Sequence, residues 1–204
     1  MPRTPQIARL AGLSYLGIIA FGITAELALR GPLIAAGAQA VTENAMLWRL
    51  SIGADLVMAT LDITLALLLF TLFRPVSEGM ARAALVLRLV QMTIVAAHLP
   101  LLAEALGSAT PMALIDRHAA GYDLGLWFFG LNSFVMAWLL HRATAPRLLS
   151  GLIGAAGLVY LFGSATHFIA PEVNEAMQPA YLVPLLAELG LALWLLRGAR
   201  QLTP

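Results

Sequence analysis

The stretch Ser51–Phe73, SIGADLVMATLDITLALLLFTLF, is long and apolar enough to cross a lipid bilayer as one helix. It nevertheless carries two acids, Asp55 and Asp62, in its interior. An ionised carboxylate near the centre of a bilayer costs about 2.5–3.5 kcal/mol on insertion scales, so each acid needs a partner. Their spacing places both acids on one helix face, about 10 Å apart along the axis. We therefore expect this face to point into a helix bundle.

The composition extends this interpretation to the whole chain. Of the 204 residues, 60% are hydrophobic and 11% are charged, whereas about a quarter of residues are charged in soluble domains. The net charge is +1, so no polybasic surface for nucleic acid is indicated. Cysteine is absent, which excludes disulfides, thiolate metal sites and thiol nucleophiles. We predict an all-α polytopic membrane helix bundle that forms one integral membrane domain over residues 1–204, with the lipid bilayer as its partner.

Six apolar segments recur along the chain and predict six transmembrane helices. They cover approximately residues 7–34, 46–73, 79–106, 119–141, 148–169 and 179–196. The first segment is expected to be a retained helix rather than a cleaved signal peptide, because its apolar run is long and is followed by Glu26 and Arg30. A polar loop, GSATPMALIDRH, is expected between the third and fourth segments.

The distribution of arginine predicts the orientation of the bundle. An even number of spans places both termini on the same side of the membrane. Most arginines then fall on the terminal side: Arg3, Arg9, Arg74, Arg82, Arg142, Arg147, Arg197 and Arg200. Only Arg30, Arg49 and Arg117 fall on the other side. The positive-inside rule therefore predicts cytoplasmic N- and C-termini.

The deeper acid of the opening stretch, Asp62, has a natural partner on the third segment. Arg88 lies at a similar depth, measured from the same side of the membrane, and the two segments are consecutive and antiparallel. Either charge alone would be unfavourable in hydrocarbon. We predict that Asp62 and Arg88 form a buried structural ion pair.

The remaining ionisable groups converge toward the outer leaflet. The depth of each group can be calculated from the rise per residue of an α-helix, and six groups then lie in the outer half of the bundle. These candidates for the lining of an outward-facing polar cavity are Glu26, Asp55, His98, Asp123, His167 and Glu188. Intramembrane ionisable groups mark ligand, ion or proton sites by default. The cavity is therefore a candidate site for a small molecule, an ion or a lipid.

Two histidines and one acid of this outer group, together with His118 in the adjoining loop, suggest a second kind of site. His98, His118, His167 and Asp55 together offer imidazole and carboxylate ligands of the kind that zinc prefers, and an open position would activate water. No His-x-x-x-His or Glu-x-x-His pair occurs, so each ligand would come from a different helix. On the fifth segment, Ser164 also precedes His167 by three residues, but a membrane-helix serine more often bonds its own backbone. No catalytic residue is assigned, and no cofactor is required by the sequence.

Five stretches of the chain resemble a known family. They occupy residues 9–27 (RLAGLSYLGIIAFGITAEL), 50–76 (LSIGADLVMATLDITLALLLFTLFRPV), 88–91 (RLVQ), 121–142 (GYDLGLWFFGLNSFVMAWLLHR) and 185–198 (LLAELGLALWLLRG). Together they resemble the bacterial six-helix membrane proteins grouped as domain of unknown function family 4386. The resemblance implies six spans and a bacterial inner membrane, and it adds no mechanism. Its polar positions would fall on Glu26, Asp55, Asp62, Arg88, Asp123 and Glu188.

Three hypotheses of function remain open from the sequence. The first is a membrane protein whose outward-facing cavity binds or moves a small ligand or ion. The second is a membrane-embedded, metal-dependent hydrolase that acts on a lipid or amphiphile, with zinc as the metal. The third is a structural or assembly subunit, in which the polar residues serve only to hold the bundle together.

Overall fold

The computed structural model describes residues 4–143 and 145–198, and these residues fold into helices without any strand. In chain order the helices are α1 (Thr4–Ile23), a π-helical turn (Thr24–Arg30), α2 (Gly31–Ala36), α3 (Ala38–Glu43), α4 (Ala45–Phe73), α5 (Glu78–Ala105), α6 (Pro111–Arg142), α7 (Arg147–Ile169), α8 (Pro171–Met177), a 3-10 turn (Gln178–Tyr181) and α9 (Leu182–Leu196).

Six helical stretches are long and apolar enough to cross a membrane, as predicted from the sequence. They run over Thr4–Ala36, Ala45–Phe73, Glu78–Ala105, Pro111–Arg142, Arg147–Ile169 and Pro171–Leu196. The fourth begins earlier than the expected residue 119. Pro111 stands in its first turn, where the missing N–H costs nothing and the fixed φ favours a helix. Two thirds of the expected polar loop, residues 111–118, is therefore helical.

The six spans pack as a closed ring. Each span contacts the next along the chain, and α9 returns to pack against α1. A Cβ added at Gly12 of α1 would lie 2.8 Å from the carbonyl oxygen of Ala192 in α9, so glycine permits this close approach. The two ends of the described chain therefore meet at one end of the bundle, which we call the terminal end. The opposite end carries α2, α3 and α8, and we call it the capped end.

The interior of the ring differs between its two ends. Toward the terminal end it is filled by buried apolar side chains from all six spans, including Leu65, Phe73, Leu139, Leu149 and Leu195. The charged and amide side chains buried on the inside, such as Arg30, Asp55 and Arg88, lie in the middle and toward the capped end. The half of the bundle near the termini is therefore closed and apolar.

Candidate functional site

An arginine that was expected on the outer side of the membrane, without a role in the candidate site, is the centre of the polar cluster at the capped end. Arg30 is only 3% exposed. Its Nη1 donates to Oδ2 of Asp55 over 2.6 Å, and its Nη2 donates to Oε2 of Glu26 over 2.7 Å. The Nε of Arg30 also donates to the same Glu26 oxygen over 3.1 Å. One guanidinium therefore joins the first span to Asp55 of α4.

The π-helical turn explains how Arg30 reaches the interior. The backbone N–H of Gly31 donates to the carbonyl of Glu26, five residues earlier, which is the π-helical pattern. A Cβ on Gly31 would lie 2.8 Å from that same carbonyl oxygen, so the turn depends on glycine. Pro32 follows and has no N–H to continue the regular ladder. Turns of this kind are frequent at functional sites because they redirect side chains.

A cavity of about 390 Å³ lies beside this cluster, and we call it the outer cavity. Its walls combine the charges of Glu26, Arg30, Asp55 and Asp123 with apolar side chains, and its complete lining is Gly22, Glu26, Arg30, Ile34, Asp55, Met58, Ile115, His118, Ala119, Tyr122, Asp123, Leu126, Asn174, Gln178 and Tyr181. The side chain of Glu26 is 57% exposed, so the cavity reaches the surface. Three carboxylates face one guanidinium, which gives the cavity a negative balance.

The rim of the outer cavity is built by α7 and α8. The Nδ1 of His167 on α7 lies 3.0 Å from Oδ2 of Asp123 on α6. Asn174 of α8 donates to the carbonyl of Gly163 over 2.8 Å and so ties α8 back to α7. The stretch PEVNEAMQ, between the fifth and sixth predicted spans, forms the short helix α8 and the first residue of the 3-10 turn, and these contribute Asn174 and Gln178 to the cavity.

A second, smaller cavity of about 80 Å³ lies deeper in the ring, and we call it the inner chamber. It is lined by Ile18, Met58, Asp62, Arg88, Gln91, Met92, Tyr122, Leu126, Phe129, Tyr160 and Glu188. The Nε of Arg88 donates to Oδ1 of Asp62 over 3.0 Å, and its Nη2 donates to the same oxygen. The guanidinium also stacks between the rings of Tyr15 and Phe129, with its Cζ 5.3 Å and 5.0 Å from the two ring centres.

Glu188 belongs to the inner chamber rather than to the outer cavity. The hydroxyl of Tyr160 donates to Oε1 of Glu188. Three residues, Met58, Tyr122 and Leu126, line both cavities and form the partition between them. Beyond Arg88, toward the terminal end, the described part of the ring interior is packed around two small pockets of about 10 Å³ each. The two cavities together therefore form a polar space with a closed floor.

The candidate cavity residues are brought together only in part. Glu26, Asp55 and Asp123 line the outer cavity, His167 contacts it through Asp123, and Glu188 lies in the inner chamber. His98 lines neither cavity. Its Nδ1 donates to the carbonyl of Ile94 over 2.8 Å, and its ring lies beside Gly121 of α6, where a Cβ would come within 2.2 Å of it. His98 fills the contact between α5 and α6.

The four candidate metal ligands do not meet. His118 uses its Nδ1 on the carbonyl of His98 over 3.2 Å, His167 faces Asp123, and Asp55 is bonded to Arg30. Across residues 4–143 and 145–198, no group of three or more His, Cys, Asp or Glu side chains has a metal-binding arrangement. The correction has a simple cause: each side chain found a nearer partner on its own or a neighbouring helix. The described residues therefore offer no zinc centre.

Several residues of the site were not anticipated from the sequence. Arg30, Tyr122, Tyr160, Asn174 and Gln178 all bond or line the cavities. The pair Gly31-Pro32 directly after Arg30 was the available signal of a break in helical bonding. Trp48 is also fully buried, and its Nε1 donates to the carbonyl of Leu102 near the end of α5 over 2.6 Å. A helix end leaves such carbonyls without intrahelical partners.

The described helices thus define a multi-pass membrane protein in which a six-helix ring surrounds a polar space in one half. The chain belongs to the family described as Domain of unknown function (DUF4386), which it matches over residues 10–198. It is also similar to an uncharacterized protein of Archaeoglobus fulgidus, with 27% identity over 157 residues, covering 75% of this chain and 86% of that protein. No solved structure matches the chain.

Proposed function

We propose that this protein binds a small amphiphilic ligand in its outer cavity, as a membrane receptor or binding protein rather than as a channel. The observation that carries the proposal is the outer cavity itself, about 390 Å³ in volume, reaching the surface and lined by both charged and apolar side chains. Ligand sites in proteins are typically 300–1,000 Å³ and combine an apolar lining with a few placed polar groups.

The closed floor favours binding over passage. A channel needs a continuous polar path, but the interior beyond Arg88 is filled by Leu69, Met136, Leu139 and Leu191, among others. A transporter would have to open this apolar plug. In this conformation the polar space is therefore a pocket that is closed toward the terminal end.

The lining indicates the chemistry of the ligand. Met58, Ile115 and Leu126 offer apolar contact to a hydrocarbon portion. The cavity has more carboxylates than guanidinium groups, since Glu26, Asp55 and Asp123 face the single Arg30. This balance favours a ligand with a positive or hydrogen-donating group. A small amphiphile with such a group satisfies both parts of the surface.

The membrane side of the cavity follows from the arginine distribution. With cytoplasmic termini, the capped end and the outer cavity face the outside of the cell. We also propose that the protein lies in the bacterial cytoplasmic membrane, as the family resemblance implies. The hydrolase alternative requires a metal centre, whereas His98, His118 and His167 are each engaged with other partners, which supports ligand binding over hydrolysis.

The absence of native cysteine makes a direct test available. Ala119 lines the outer cavity, so Ala119→Cys introduces a single thiol there. We expect the membrane-impermeant cation 2-(trimethylammonium)ethyl methanethiosulfonate to modify it in intact cells. The matched control is Leu193→Cys, which is 51% exposed on α9 and is expected to face lipid and to remain unmodified. Arg74→Cys, on the α4–α5 connection, should react only in inverted vesicles.

The same thiol reports occupancy of the cavity. n-Octylamine, n-octanol and octyltrimethylammonium serve as probes, and we expect at least one of them to slow the modification of Ala119→Cys. None of them should slow the modification of Arg74→Cys at the other end of the bundle. If Ala119→Cys is inert from both sides, or if no probe protects it, the proposed function is wrong.

A further inference from the structure

We infer that the inner chamber is a second binding subsite, which receives a primary ammonium group at the end of the ligand. This inference rests on the proposed function, since the ligand must enter through the outer cavity. It assigns a chemical class to the ligand: an amine whose N–H groups pass the partition formed by Met58, Tyr122 and Leu126.

The first support is that two residues lining the chamber each carry a buried hydrogen-bond acceptor without a partner. Asp62, 3% exposed, uses its Oδ1 for Arg88, whereas its Oδ2 has no partner. The Oε1 of Gln91, 7% exposed, also has none. A buried carboxylate or amide oxygen without a donor costs about 1–3 kcal/mol, so two of them along one small chamber call for an occupant that brings donors.

The second support is that two neighbouring donor side chains are hydrogen-bonded elsewhere. The Nε and Nη2 of Arg88 both donate to Oδ1 of Asp62, and its guanidinium face is covered by Tyr15 and Phe129. The hydroxyl of Tyr160 donates to Glu188. These hydrogen bonds leave Oδ2 of Asp62 and Oε1 of Gln91 without a partner.

The charge and the size of the inner chamber restrict which chemical group can occupy it. Asp62 and Arg88 cancel each other formally, and Glu188 adds a second carboxyl group, so the chamber favours a positive guest over a negative one. A volume of about 80 Å³ corresponds to roughly two to three water molecules at about 30 Å³ each. An –NH₃⁺ group fits this space and carries three donors. A trimethylammonium group is larger and carries none.

The position of the chamber explains why an amphiphile would be selected. The partition consists of the side chains of Met58, Tyr122 and Leu126, which are largely apolar. The alkyl part of the ligand next to the ammonium group would therefore contact apolar side chains where it passes the partition. The hydrocarbon portion then lies in the outer cavity beside Ile115. Water alone in the chamber is the competing explanation, and the experiment separates the two.

The first experiment uses the unaltered protein in lipid nanodiscs and a methylation series of one ligand. Octylamine, N-methyl-, N,N-dimethyl- and N,N,N-trimethyloctylammonium are titrated by calorimetry, corrected for uptake by empty nanodiscs. We expect affinity to fall along the series, with octylamine binding at least about tenfold more tightly than the quaternary ion, as expected for lost charge-assisted hydrogen bonds. Equal affinities would overturn the inference.

The second experiment changes the chamber without changing its size. Gln91→Met removes the amide while keeping the side-chain length, and we expect the preference for octylamine over the quaternary ion to fall about tenfold. The matched control is Gln178→Met, the same substitution in the outer cavity, which should leave that ratio unchanged. A ratio of affinities is insensitive to the fraction of folded protein, so partial destabilisation does not imitate the result.

The outcomes distinguish this inference from the proposed function. If the quaternary ion binds as well as octylamine and both protect Ala119→Cys, the outer cavity binds ligands but the chamber does not select them. If Gln91→Met leaves the preference intact, the chamber holds only water. If no member of the series binds, the proposed function itself fails.

Discussion

Arg30 and Asp55 are joined by a buried hydrogen bond of 2.6 Å that spans the first membrane helix and α4. Seven residues further along α4, Asp62 is bonded to Arg88 of α5. The two acids on one face of α4 are therefore neutralised from opposite sides, one by the span that precedes α4 in the sequence and one by the span that follows it. This arrangement fixes the rotation of α4 within the ring.

Removing Arg30, the cation of the Arg30–Asp55 pair, should destabilise the bundle. Arg30→Met would leave Asp55 buried without its partner, and breaking a buried pair in this way costs about 3–5 kcal/mol. We expect a clear drop in the midpoint of thermal unfolding in detergent. Arg49→Met, at an exposed position of α4, is the matched control and should have little effect. An unchanged midpoint for Arg30→Met would contradict a stabilising role for the pair.

In the Asp62–Arg88 pair, a second substitution should compensate for the effect of the first on expression. Asp62→Asn alone leaves Arg88 as an uncompensated charge within the membrane region, so we expect expression in the membrane fraction to fall strongly. The double change Asp62→Asn with Arg88→Met removes both charges and should express far better than the single change. The two are compared by the yield of monodisperse protein after purification. Equal loss in both would show that the role of the pair is not simple charge pairing.

The π-helical turn should be sensitive to one methyl group. Gly31→Ala would place a Cβ 2.8 Å from the carbonyl of Glu26, so the turn must shift and Arg30 must move relative to Asp55. We expect lower thermal stability and reduced protection of Ala119→Cys by octylamine. Gly53→Ala is the control, since its Cβ would meet no atom within 4 Å, and alanine should stabilise α4 by about 0.5–1 kcal/mol. Similar effects at both glycines would show that the turn tolerates a side chain.

The buried indole of Trp48 should contribute through its hydrogen bond. Trp48→Phe keeps an aromatic ring but removes the donor to the Leu102 carbonyl, and the buried acceptor left behind costs about 1–3 kcal/mol. We expect a lower unfolding midpoint. Trp138→Phe, at a residue 41% exposed on α6, is the matched control and should change the midpoint much less. If both substitutions behave alike, the loss reflects ring size and not the hydrogen bond.

The membrane helices were predictable because hydrophobic length is a local property. A bilayer requires about 20 apolar residues per span, and segments such as Ala45–Phe73 contain that signal entirely within themselves. The start of the fourth span was placed too late because polar residues around Asp116 and Arg117 were taken to end the helix. They are compatible with a helix that extends past the apolar region.

The candidate site was predictable only where depth along a helix decided the outcome. Asp62 and Arg88 lie at matching depths on adjacent spans, and the structure places them in contact. For His98 and His167 the expected depth was not sufficient, because depth does not determine the direction in which a side chain points around its helix. His98 turned toward Gly121 and the backbone of α5, and His167 turned toward Asp123.

The sequence by itself determined that Ser51–Phe73 is long and apolar enough to span a membrane and that its two acids need partners, because hydrophobic length and the presence of ionisable groups within it are properties of the local sequence. The tertiary structure decided which partners they have. Asp55 is bonded to Arg30 because a π-helical turn, permitted by Gly31, brings that arginine into the ring. It also decided that Asp62 retains one free oxygen beside a small chamber, since that depends on how six helices close around it.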